Sequence, residues 1–299
     1  MRITTNQTDR QGETMNPRPL ARSMRALLWV EIALTFAAGT QLVVLAEHTG
    51  RLFAWPIEPP SSALFIGASF WGAAALVLWA ARQRDWARAQ LALPSLIVVA
   101  SLLCVATLIH IEQFQSLLGA FWIEVYAFVP PLSVALVAIQ FAIPGSDVRE
   151  PAPLPRWLRA PLAVQAALLL SVGAVLYAAP AELPALWPWA LGELTSQAIG
   201  TWLLGIATLA ILIVARNDRG DLPGASLSNV ILGAVLLFGV ARFAGDFEFA
   251  RASTWVYIGF AASAVAVGGS GTLLAWREGR YRPARRPGWI PVEVRTADG

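Results

Sequence analysis

The sequence predicts an all-α integral membrane protein of eight transmembrane helices, arranged as two tandem four-helix repeats about a parallel pseudo-two-fold axis. Three observations lead there. Of the 299 residues 57% are hydrophobic and only 14% charged, with a mean hydropathy of +0.58, more apolar surface than a soluble core of this size can bury. Apolar runs of about twenty residues, enough to cross about 30 Å of hydrocarbon, recur along the chain. The same landmarks also come round twice.

The first run, ALLWVEIALTFAAGTQLVVLA, covers 26–46. It follows a polar leader with five arginines, as a signal peptide does. It is too long for an h-region, however, and VLAEH offers no small-x-small cleavage site, so a retained helix is expected. Residues 1–22 read as a disordered polar tail, in which Met15 is an alternative start. The second run, SSALFIGASFWGAAALVLWAA, covers 61–81, with Ser61 or Ser62 placed to cap it. Runs three and four cover about 90–109 and 119–142 and complete a membrane unit at 23–143. A linker at 144–159, containing PGSDVREPAPLPR, breaks helix with prolines and mixed charge. A second unit, 160–278, holds runs at about 160–179, 194–215, 222–244 and 253–276, with Thr195 or Ser196 as the matching cap. A basic tail, 279–299, follows.

Arginine orients these runs, since lysine is absent and positive residues collect in cytoplasmic loops. With both termini inside a bacterial-type inner membrane, 19 of the 22 arginines are cytoplasmic, and only Arg51, Arg242 and Arg251 lie outside. The sequence pI of 9.6 is therefore a topology signal, and nucleic-acid binding is rejected. The single cysteine, Cys104, excludes an internal disulfide and a CxxC relay.

The duplication rests on matches at offsets of 132 to 135 residues. Gly39 falls on Gly173, Glu31 on Gln165, Trp55-Pro56 on Trp187-Pro188, Ile66-Gly67 on Ile199-Gly200 and Gly72 on Gly205. HIEQF at 110–114 lies opposite GDFEF at 245–249, and Trp122 opposite Trp255. Four spans per repeat is an even number, so both copies enter the membrane the same way. Each Trp-Pro pair is expected to be an interfacial anchor at the outer surface, where tryptophan is favoured.

Ionisable groups inside a span are costly unless paired or hydrated, so each is a functional candidate. Glu31, its counterpart Gln165, Glu124 and Arg242 make up a candidate intramembrane site, and Glu124 and Arg242 lie at depths compatible with an ion pair. Glu31 and Gln165 serve equally as hydrogen-bonding glue between helices. Pro130 and Pro131 at mid-span free carbonyls near Tyr126 and Ala127, either as a simple kink or as a broken helix that hinges or binds a cation.

The outer face collects Glu47, His48, Glu58, His110, Glu112, Glu193, Asp246 and Glu248, an acidic surface that draws cations. Within it His48, His110, Glu112 and Glu193 form a second candidate site, although no HxxxH or HExxH spacing supports a metal. GGSG at 268–271 is too deep to meet a histidine and reads as a close-packing surface. No P-loop, GxGxxG or GxSxG motif occurs, and no cofactor is predicted. Small-solute or ion transport through a site between the repeats is the expected function. The alternatives are a scaffold, assembly factor or sensor whose basic tail meets a protein or anionic lipid of the bilayer, and a membrane enzyme acting on lipid or quinone.

Overall fold

The computed structural model describes residues 17–147, 152–180 and 187–281. Met15 and the tail from residue 282 onward lie outside the described residues. Among those described, eight helices are long and apolar enough to cross a membrane, the pattern of a multi-pass membrane protein. They are α1 Arg22–Val44, α2 Pro60–Ala81, α3 Ala92–Ile109, α4 Leu117–Ala142, α5 Arg156–Ala178, α6 Glu193–Arg216, α7 Leu222–Arg242 and α8 Ala252–Arg277. The largest departures from the sequence reading are at α1 and α5, which begin about one turn earlier. Hydropathy marks where a helix becomes apolar, whereas the backbone is already helical through Arg22 and Arg156.

Helices α2 and α6 form the centre, with 72% and 61% of their most apolar stretches buried against 22% to 44% for the other six. Small residues allow this. Helix α1 lies along α2, and α5 along α6; α7 packs on the other side of α2, and α3 on the other side of α6. Helices α2 and α6 meet through Phe70 and Trp202, whose ring centroids are 4.7 Å apart. Helix α4 lies outermost against α3 and α1, and α8 against α7 and α5.

Glycine sets the closest approaches. A Cβ on Gly39 would lie 3.1 Å from the Gly67 carbonyl oxygen, and one on Gly200 would lie 2.8 Å from that of Gly173. On the opposite faces, a Cβ at Gly72 would meet the Ser228 carbonyl of α7 at 3.2 Å, and one at Gly205 would meet Val99 of α3. Backbones that come this close gain dispersion energy where lipid offers no hydrophobic drive.

Part of the predicted N-terminal tail is fastened down. Leu20 N–H donates to the Arg84 carbonyl at 2.8 Å, Trp86 N–H donates to Arg18 at 2.9 Å, and Gln140 bonds both Ala21 N–H and the Pro19 carbonyl. Residues 152–154 of the linker are held in the same manner. Leu154 N–H donates to Asn217 Oδ1 at 3.1 Å and Arg219 N–H to the Ala152 carbonyl at 2.8 Å. Leu20 and Leu154 are both buried under these straps. Beside them Arg219 meets Glu278 at 2.8 Å; burial works against ionising that carboxyl, but Arg280 and Arg219 outweigh it and hold it below the usual carboxylate range.

The Trp-Pro segments are not interfacial anchors. Trp55 is 2% exposed and packs with Phe53, Phe114 and Trp122; Trp187 is 5% exposed and packs with Phe65, Trp189 and Tyr257. An amphipathic ring is at home both at headgroups and in a protein core, and here each ring fills the end of a helical bundle. The aromatic partner of Trp187 on α8 is Tyr257, while Trp255 is 60% exposed.

The expected serine caps are absent as well. Pro59 and Gly192 occupy the capping positions without side-chain bonds. Asp246 instead accepts from Ser61 N–H at 3.1 Å, Ser62 accepts from the Trp189 indole at 2.7 Å, and Ser196 donates to the Leu176 carbonyl at 2.9 Å.

Candidate functional site

The α7–α8 seam and the α3–α4 seam are built from different residues. In the first, a Cβ on Gly233 would lie 2.5 Å from the Ala261 carbonyl, and one on Gly268 would lie 2.7 Å from that of Ser226. The GGSG stretch is thus a packing surface, as its sequence suggested. Beside the second, Leu96, Val99, Trp122, Tyr126 and Val129 line a cavity of about 110 Å³ between α1, α2, α3, α4 and α6.

The walls of this cavity are apolar and aromatic, with Phe70, Trp122, Tyr126 and Trp202 among them and Phe121, 53% exposed, beside them. Helix α1 contributes Glu31, Leu34, Thr35 and Ala38, which share one helical face by their spacing. Glu31 is 7% exposed. Its Oε1 accepts from Ser133 of α4 at 3.4 Å, a long bond, and its Oε2 has no hydrogen-bond partner among the described residues. An ionised carboxylate in such surroundings needs a counter-charge. No arginine or lysine lines the cavity.

Gln165 on α5 is differently placed. Its amide donates to Ser263 of α8 at 2.8 Å, and Ser263 in turn donates to the Phe260 carbonyl at 2.7 Å. The spaces nearby hold only about 10 and 50 Å³, with Phe260 lining both.

A smaller cleft of about 30 Å³ lies between α2, α3, α6 and α7 and carries Ser69, Ser95, Ser228 and Asn229. It shares Leu96, Val99 and Trp202 with the Glu31 cavity, so the two adjoin at the centre of the bundle. At the arginine-poor end, an open basin of about 1260 Å³ is lined by Glu47, His48, Glu58, Glu193 and Asp246, among others.

The other candidate residues do not converge on Glu31. Glu124 is exposed on α4, and among the described residues no ion pair joins it to Arg242. Arg242 instead donates to the Val43 carbonyl at 2.8 Å and lies 3.8 Å from Glu47, so it fastens the end of α1 to α7. Unpaired carbonyls at a helix C-terminus favour a cation. Pro130 and Pro131 do not break α4, which runs unbroken from Leu117 to Ala142.

His110 is buried, with its Nε2 3.0 Å from Gln197 Oε1, rather than interfacial. His48 and Glu193 face the basin, while Glu112 is exposed elsewhere. Among the described residues no group of three or more His, Cys, Asp or Glu side chains is placed to hold a metal ion.

Phe70, Trp122, Tyr126 and Trp202, which line the cavity, are not among the residues singled out from sequence as candidates. Phe70, Tyr126 and Trp202 carry a sequence signal, aromatic rings well inside a span, whereas Trp122 lies near the start of α4. Comparison with protein-family models, curated proteins and solved structures gives no match to this chain.

Proposed function

We propose that this chain is a small-solute transporter of a bacterial-type inner membrane, with its solute site at Glu31. The observation that carries the reading is Glu31, whose Oε2 has no partner among the described residues, lining a cavity that adjoins the central cleft. A buried carboxyl oxygen without a partner costs about 1–3 kcal/mol, an expense that a purely structural position does not require, as Gln165 illustrates. The first unit supplies the lining of this cavity except for Trp202 of the second, and substrate sites where two repeats meet are the common plan of secondary transporters.

The repeat architecture, units 23–143 and 160–278 about a parallel pseudo-two-fold axis, belongs to the same proposal. Three correspondences support it. Helix pairs α1–α2 and α5–α6 close on the glycine pairs Gly39/Gly67 and Gly173/Gly200; α2–α7 corresponds to α6–α3 through Gly72 on Ser228 and Gly205 on Ser95 and Val99; and the straps at Leu20 and Leu154 dock on equivalent turns. The arginine distribution favours termini on the cytoplasmic side, with the acidic basin facing outward.

Flux into proteoliposomes across a panel of amines, amino acids, sugars and inorganic ions tests the reading. Wild-type protein is expected to move at least one class, and Glu31→Gln to abolish that flux while the protein still elutes as wild type. Absence of flux across the panel, or flux indifferent to Glu31→Gln, would refute it.

A further inference from the structure

We infer that the Glu31 cavity takes a primary or secondary ammonium group carried on a small apolar body. The inference rests on the cavity being a solute site and adds the chemical class of its occupant. Three features of the cavity select that class.

The first is charge. Glu31, more than nine-tenths buried and with one carboxyl oxygen unpartnered, lines a space with no arginine or lysine in its walls, so an ionised Glu31 takes its complementary charge from the ligand. A neutral hydrogen-bonding ligand would be served as well by an amide, the group found at Gln165.

The second feature is the walls. Phe70, Trp122, Tyr126 and Trp202 present rings around the space, with Trp122 and Tyr126 centroids 4.4 Å apart and Phe70 and Trp122 6.2 Å apart. Aromatic faces stabilise an organic cation and also accommodate an apolar body. They cannot replace the six or more oxygens that a hard metal ion demands. The Thr35 hydroxyl already donates to the Glu31 carbonyl at 2.6 Å, and the Trp122 indole to Thr107 at 3.0 Å.

The third feature is the geometry of the acceptor. The lone pairs that Glu31 Oε2 leaves without a partner call for an N–H donor, which an ammonium with hydrogens supplies and a quaternary ammonium does not. The Ser133 bond on Oε1 steadies the carboxyl from the other side without occupying Oε2.

Equilibrium binding of radiolabelled phenethylamine to the purified full-length chain in detergent tests the inference. Saturable binding is expected, displaced by hexylamine but not by phenethyl alcohol or phenylacetate. Glu31→Gln should weaken it about thirtyfold or more, the scale for removing one partner of a buried charge pair. Ala100→Leu, which narrows the cavity without touching Glu31, should also abolish binding, and Glu248→Gln at the arginine-poor end should bind as wild type.

Displacement by phenethyl alcohol as effective as by hexylamine, undiminished binding in Glu31→Gln, or no saturable binding would overturn the inference. Its fate is separable from that of the transport reading. Glu31-dependent flux of a neutral or anionic solute without amine binding overturns the ligand class alone, whereas amine binding without flux overturns transport alone.

Discussion

Glu31 and Gln165 are each the tenth residue of their helices, and each faces a serine from the last helix of its own half, yet their surroundings differ. Beside Gln165 the α7–α8 seam is closed by glycine, the amide donates to Ser263, and the spaces that remain, lined by Phe260, are small. Beside Glu31 an aromatic cavity lies at the α3–α4 seam, and one carboxyl oxygen has no hydrogen-bond partner among the described residues. Within one helical scaffold, the polar position at one seam is bonded across helices, and the one at the other borders a cavity.

The largest expected effects test what the halves share. Trp55→Ala and Trp187→Ala should each cost about 3–5 kcal/mol, the scale for truncating a core tryptophan, read from denaturant titration in mixed micelles. Losses below about 1 kcal/mol in either would restore the interfacial-anchor reading and break the likeness of the two aromatic clusters.

The next effect separates the seams. Gly233→Leu forces α7 from α8 and should cost about 1–3 kcal/mol, whereas Ala100→Leu extends into the open cavity and should leave the melting temperature unchanged or raised. Equal destabilisation would mean that the α3–α4 seam is as tightly packed as its counterpart.

The smallest effects have opposite signs. Glu31→Leu removes a buried oxygen without a partner and should raise stability by about 1 kcal/mol. Gln165→Leu removes an interhelical bond and should lower it by about 0.6 kcal/mol. Destabilisation by both would make Glu31 glue after all.

Much of the helical scaffold was legible from composition, because each span must be long and apolar enough to hide its own backbone. Glu31 was legible too, since a charge in a span stands out. Its place beside a cavity was not: Glu124 and Arg242 stood out equally, and folding puts one on the exposed face of α4 and the other against the end of α1. Trp55 and Trp187 were misread because tryptophan suits a membrane interface and a packed core alike, and sequence position near a loop favoured the former. Trp122 suited the same kind of core, and its match with Trp255 was misleading because Tyr257 takes the buried place on α8.

By itself the sequence determined the number of spans, their limits to within about a turn, and the one carboxyl deep in α1, all of which follow from local hydropathy and the cost of intramembrane charge. Only the tertiary structure decided that α2 and α6 stand at the centre, that the α3–α4 seam stays open, and that rings from α2, α4 and α6 gather beside Glu31. Helix-to-helix contact in a bilayer depends on the fit of side chains brought together from distant parts of the chain, and no local property of a span records that fit.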